Sequence, residues 1–156
     1  MFKIFFLSAF VFLVSCTGYE FVYNEKPIIK EIKKNTFVVV NGNDSTTTSI
    51  VLKNKLRKPD SNNFLLDASI TKNTTPITIE KDGSVTKHEI KHTISYALMN
   101  FDSKCEIAST EIITTTTYNS SASGYNFASD VGKGETNKKN IEQNVEKFFD
   151  YIASNV

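Results

Sequence analysis

Two cysteines, two histidines and a single arginine, Arg57, stand among 156 residues, and 18 Lys plus Arg against 17 Asp plus Glu leave a formal charge of +1. Each scarcity excludes something. A nearly neutral chain lacks the global field that draws nucleic acid, so only local clusters could hold anions. Cys16 and Cys105 are too few for a disulfide scaffold. The lone arginine among many lysines reads as compositional bias. Long apolar runs are also missing: the one continuous stretch, Ile4 to Val14, covers 11 residues, well short of the roughly 20 that a spanning helix needs. No internal repeat or low-complexity tract is present. Residues 16–156 suit one domain with one modest core.

What the N-terminus does contain is specific. Met1 to Lys3 carries one positive charge, Ile4 to Val14 is apolar, and Leu13-Val14-Ser15-Cys16 closes the run. Residues 1–15 thus read as a secretory signal peptide of the bacterial lipoprotein type, with Cys16 as the first mature residue and the lipid attachment site. Two or three acyl chains there would anchor the protein stably, at about 0.8 kcal/mol per buried methylene. Thr17 stands where an Asp would retain such a protein in the inner membrane. The expected location is therefore the outer membrane of a Gram-negative envelope, on its periplasmic side. With Cys16 lipidated, Cys105 has no intramolecular partner and reads as a small buried hydrophobe on a strand.

Residues 16–34, with Tyr19, Phe21, Tyr23 and Pro27, read as an extended lipidated segment. The domain follows over 35–156. Thr36 to Val40 is a β-branched strand stopped by Asn41-Gly42-Asn43-Asp44. Asp44 or Ser45 caps a helix reaching Lys58, stopped by Pro59. Phe64 to Ile79 and Val85 to Leu98 flank Lys81-Asp82-Gly83-Ser84 as a long hairpin. In its second strand His88, Ile90, His92, Ile94, Tyr96 and Leu98 share the core face; Lys87, Glu89, Lys91, Thr93 and Ser95 share the other. A strand from Cys105 to about Tyr118 precedes a loop over Ser120 to Gly134. Ile141, Val145, Phe148, Phe149 and Ile152 then mark an amphipathic helix capped by Thr136. The order β-α-β-β-β-α predicts an α+β two-layer sandwich, two helices on a four-stranded sheet.

His88-Glu89-Ile90-Lys91-His92 satisfies H-E-x-x-H, the zinc-peptidase motif. That chemistry needs a helix, which sets both imidazoles and the glutamate around one metal. On a strand Glu89 points away from both histidines, and no third ligand offers itself. Zinc metallopeptidase is a remote alternative. No Ser-His-Asp arrangement or phosphate-cradling glycine loop is legible, so the expectation is a protein that is not an enzyme and carries no metal or cofactor. Lys72, Lys81, Lys87, Lys91 and Lys104 gather along the hairpin and the next turn as a candidate anion patch.

With these elements placed, the chain resembles the LptE family, small outer-membrane lipoproteins of lipopolysaccharide assembly. The resemblance rests on Cys16-Thr17-Gly18-Tyr19 with Phe21-Val22-Tyr23, on Tyr96-Ala97-Leu98 before Asp102, and on Thr117-Tyr118-Asn119 followed by Phe127-Ala128 and the last helix. Glu135-Thr136-Asn137 departs from the family's acidic-Ala helix start, and the first helix lacks the customary arginines. The resemblance implies a plug for the lumen of an LptD-like outer-membrane β-barrel, with lipopolysaccharide as ligand at Lys72, Lys81, Lys87 and Lys104. The competing class is an independent envelope lipoprotein that binds another protein through its exposed sheet.

Overall fold

The computed structural model describes residues 26–59, 61–81, 85–120 and 127–156. In chain order they form α1 (Pro27–Asn35), β1 (Thr36–Gly42), α2 (Ser45–Lys55), β2 (Phe64–Ile79), β3 (Val85–Asn100), β4 (Glu106–Asn119) and α3 (Phe127–Asn155). Cys16, the predicted lipid-attachment residue, and most of the hairpin turn, residues 82–84, lie outside the described residues.

One mixed sheet runs β1-β2-β3-β4. β1 and β2 are parallel, which requires a crossover, and α2 supplies it. β2, β3 and β4 form an antiparallel meander with Leu66 opposite Leu98, Ile70 opposite Ile94 and Ile94 opposite Ile112. The period-2 alternation in β3 places Ile90, His92, Ile94, Tyr96 and Leu98 in the interior. Of these, Ile94, Tyr96 and Leu98 join one core with Val51 and Leu52 of α2 and Ile141, Val145, Phe148 and Ile152 of α3. Tyr96 stacks on Phe148 with ring centroids 4.2 Å apart. The architecture is the α+β sandwich the pattern predicts, and among the described residues the helices lie on one face only.

Four local expectations change. The stretch before Lys34 was expected to be extended; Pro27–Asn35 is helical. Pro27 sits in the first turn, where its missing N–H costs nothing. Ile29 and Ile32, one turn apart, are buried beneath it, and Lys33 and Lys34 complement the C-terminal end of the helix dipole. The sandwich therefore has three helices among the described residues, not two. α2 stops at Lys55 rather than Lys58, because Leu56 turns extended ahead of Pro59. Asp44 holds the N-cap position of α2 but makes no capping bond with its side chain. The last helix begins at Phe127, not near Thr136, so Gly132 and Gly134 lie inside it. At 29 residues it is roughly 44 Å long, long enough to lie along most of the 16-residue β3.

Gly42 ends β1 with φ +98°, and a Cβ there would lie 2.0 Å from the Ile70 carbonyl oxygen. Glycine at this point lets the chain turn against β2 toward Asp44.

Candidate functional site

Two features of this sandwich carry chemistry: a polar cluster between its layers, and the bare face of its sheet. The cluster forms where β1 hands over to α2. Asp44 adopts a left-handed backbone, φ 52°, which turns its carboxylate away from the helix end. There Oδ2 accepts from Lys72 Nζ at 2.9 Å, Asn137 Nδ2 at 3.2 Å and His92 Nε2 at 3.4 Å. Lys72 and His92 are cross-strand partners on β2 and β3. Partial burial works against the charge on Asp44, yet these hydrogen bonds and the Lys72 charge outweigh it and hold the carboxyl below the usual value. An ionised carboxylate only accepts, so in this contact the His92 ring donates through Nε2.

Farther along α3, Asn140 and Asn144 face the sheet. Asn144 Nδ2 donates to the Ile112 carbonyl at 2.9 Å and to Thr114 Oγ1 at 3.0 Å, while its Oδ1 accepts from Tyr96 Oη at 2.9 Å. Asn140 Nδ2 donates to the Ile90 carbonyl at 3.2 Å. Burial pushes the Tyr96 phenol far up, so it remains a neutral donor. With the Asp44 bonds, β2, β3, β4 and α3 are thereby fixed in register by polar groups that are costly to leave unpaired. This cluster positions; it presents no nucleophile. The signal missed in the sequence is the spacing of Asn137, Asn140 and Asn144, which puts them beside Ile141, Val145 and Phe148 on one helical face.

Among the described residues the opposite face of the sheet carries no helix. Cross-strand rows there read Asn41, Ser69, Ser95 and Glu111, then Thr71, Thr93 and Ile113, then Asn73, Lys91 and Thr115. Short side chains leave a shallow trough in which Ser95 Oγ donates to Glu111 Oε2 at 3.3 Å. At one end the face turns apolar: Phe37 is 45% exposed and Val39 36%. Phe37 meets Phe101 edge-on at 6.4 Å.

The predicted site residues do not form one patch. Lys72 points into the helix side of the sheet and is consumed by Asp44. Lys104 sits in the turn between β3 and β4 with its ammonium 4.3 Å over the Phe101 ring, roughly 40 Å of strand away from Lys87. Alternation along β3 and the turn position both made these lysines look adjacent in sequence, but opposite faces and opposite hairpin ends separate them. Lys81 and Lys87 remain together near the hairpin tip, with Lys91 on the same open face as Lys87. His88 and His92 share the helix side of β3 and Glu89 the other, as a strand requires; His88 stacks on Tyr118 at 5.0 Å. Among the described residues no three His, Cys, Asp or Glu side chains converge. Cys105 was expected on a strand and buried; it is exposed and precedes β4, because the turn closes one residue later than the pattern suggests.

No protein-family profile and no curated sequence matches this chain. Solved structures do match. A lipoprotein from Caulobacter crescentus CB15 superposes with a TM-score of 0.65 at 12% identity, covering 83% of this chain and 94% of its own. A minor lipoprotein from Acinetobacter baumannii gives 0.58 at 12% identity over 79% of this chain and 92% of that one. Rare lipoprotein B from Shewanella oneidensis gives 0.53 at 15% identity over 77% and 95%. The shared property is the fold. This chain has an α+β architecture that several bacterial lipoproteins also carry, over nearly their whole length.

Proposed function

We propose that the protein is an envelope lipoprotein, anchored through acyl chains on Cys16 at the periplasmic side of the outer membrane. Its α+β domain occupies the lumen of an LptD-like β-barrel and assists delivery of lipopolysaccharide to the outer leaflet. The observation that carries this reading is the fold shared with bacterial lipoproteins, joined to the Leu13-Val14-Ser15-Cys16 box. The bare sheet face supports it: serine, threonine, asparagine and charged groups suit the wet interior of a large barrel. The role is binding, without turnover. Lys81, Lys87 and Lys91 are the cations left to meet acidic sugars or phosphates, and such contacts weaken with salt over a Debye length of about 8 Å.

Depletion of the protein tests the proposal, with assembled barrel and surface lipopolysaccharide followed together. Both should fall, and the barrel should copurify from detergent extracts. Unchanged levels with no barrel recovered would leave the second reading, an independent envelope lipoprotein that binds another protein through its exposed sheet. The exposed Phe37 and Val39 favour that reading's mode of contact.

A further inference from the structure

We propose that the outer edge of β1 is a strand-addition site for an extended, acidic segment of a partner protein. Neither placement in a barrel nor lipid delivery requires it, so it stands apart from the reading above. β1 pairs with β2 on one side. On its other side no described segment hydrogen-bonds to its backbone. A bare edge of this kind is normally guarded by lysine, proline or a bulge. β2 follows that rule where it outruns β1: Pro76 and two register shifts interrupt it. β1 does not. Its run Thr36-Phe37-Val38-Val39-Val40-Asn41 has high β propensity, no charge and no proline.

Beside this edge lies a groove of about 380 Å³. Its floor is apolar, built from Phe37, Val38 and Leu56, and its rim carries Lys53, Arg57 and Lys58. Among the described residues no acidic side chain lines it, and none of the three cations has an ion-pair partner. Among the described residues the chain's one arginine is therefore unspent, at a site suited to bidentate carboxylate recognition.

Three occupants fit an apolar, cationic groove, and the backbone edge chooses among them. An acyl chain laid there would cover amide and carbonyl groups without bonding them, which is costly. A second copy of this chain, paired edge to edge, would bring the three cations against their own kind. An added strand bonds the edge and lets its side chains alternate. Those on the bare face lie beside Phe37 and Val39 and are apolar; those between them face Lys53, Arg57 and Lys58 and are acidic.

A short synthetic peptide alternating valine and glutamate is the probe, with its valine–lysine counterpart as control. Added to the purified protein, it should slow amide hydrogen exchange within Thr36–Asn41. Affinity should fall roughly tenfold in the double variant Arg57→Glu, Lys58→Glu; both residues are exposed, so the fold is spared. Equal binding of the lysine peptide, or binding with no protection in β1, overturns the proposal. So does protection of β1 that rises with protein concentration alone, which means self-pairing. Displacement of the peptide by micelles of a single-chain anionic phospholipid, with no amide protection from the lipid, assigns the groove to an acyl chain instead.

Discussion

Asp44 and Asn144 each concentrate three interlayer hydrogen bonds, and Asp44 alone does so with a charge. Its carboxylate gathers donors from β2, β3 and α3, and its backbone takes a left-handed conformation that Asn or Gly tolerates and Ala does not. Asp44→Ala should therefore destabilise the domain by about 2–3 kcal/mol, by leaving donors unpaired and adding backbone strain. Asp44→Asn keeps the conformation and should cost less. Urea denaturation of the two variants checks the order, and equal losses would mean the backbone plays no part. A pH dependence follows with a definite sign. Burial opposes the charge, but the hydrogen bonds from Lys72, Asn137 and His92 prevail and lower the folded-state value. The folded protein then binds fewer protons than the unfolded one in acid. The stabilisation is complete above the ordinary carboxylate range and is lost as pH falls through the lowered value. Asp44→Asn should flatten that acid limb. The inward turn of His92 was legible from the alternation His88, Ile90, His92 alone. Its partner was not: Asp44 lies 48 positions away, and only the parallel crossover brings the two together. The place of Lys72 beside Asp44 was hidden for the same reason, since β2 residues near the end of β1 change from tip to interior with register.

The strands were the elements most open to sequence reading, because their alternation is tied to a buried face and a one-residue slip would expose it. Helix limits were harder. Pro27 looks like an interruption until Ile29 and Ile32 are placed against the core. Gly132 and Gly134 look like loop residues, yet α3 runs through both and a Cβ at either would meet nothing within 4 Å. Here the helix is sustained by its anchored C-terminal portion, from Asn137 to Ile152, and not by local propensity. Glycine in a helix interior loses roughly 0.5–1 kcal/mol against alanine. Gly132→Ala and Gly134→Ala should each raise stability by about that amount, and their effects should nearly add. Thermal denaturation reads this directly. A loss in either variant would show that this stretch needs glycine's freedom and is not helical in solution.

At the scale of the whole molecule the question is what would fasten a small α+β domain to the envelope in which the proposed function places it. No helix among the described residues is long and apolar enough to cross a membrane, so within them attachment by a spanning helix has no candidate. The proposed anchor is chemical. One acyl chain binds a bilayer weakly and reversibly, whereas two or more hold it stably, so anchoring should depend steeply on the Cys16 thiol that receives them. Cys105 offers no substitute, as it lies in a folded turn at the end of β3. Cys16→Ser should accumulate an unprocessed precursor without lipid, because cleavage in this signal class follows modification of the cysteine. The domain should keep its fold, since the core draws its buried residues from positions 29 to 152. Intact-mass analysis of the membrane and soluble fractions distinguishes the outcomes. The wild-type chain should appear cut before Cys16 and heavier by its acyl groups; the variant should retain residues 1–15. Cleavage at another position, with no added lipid on the wild type, would detach the domain from the membrane and with it the barrel-plug proposal.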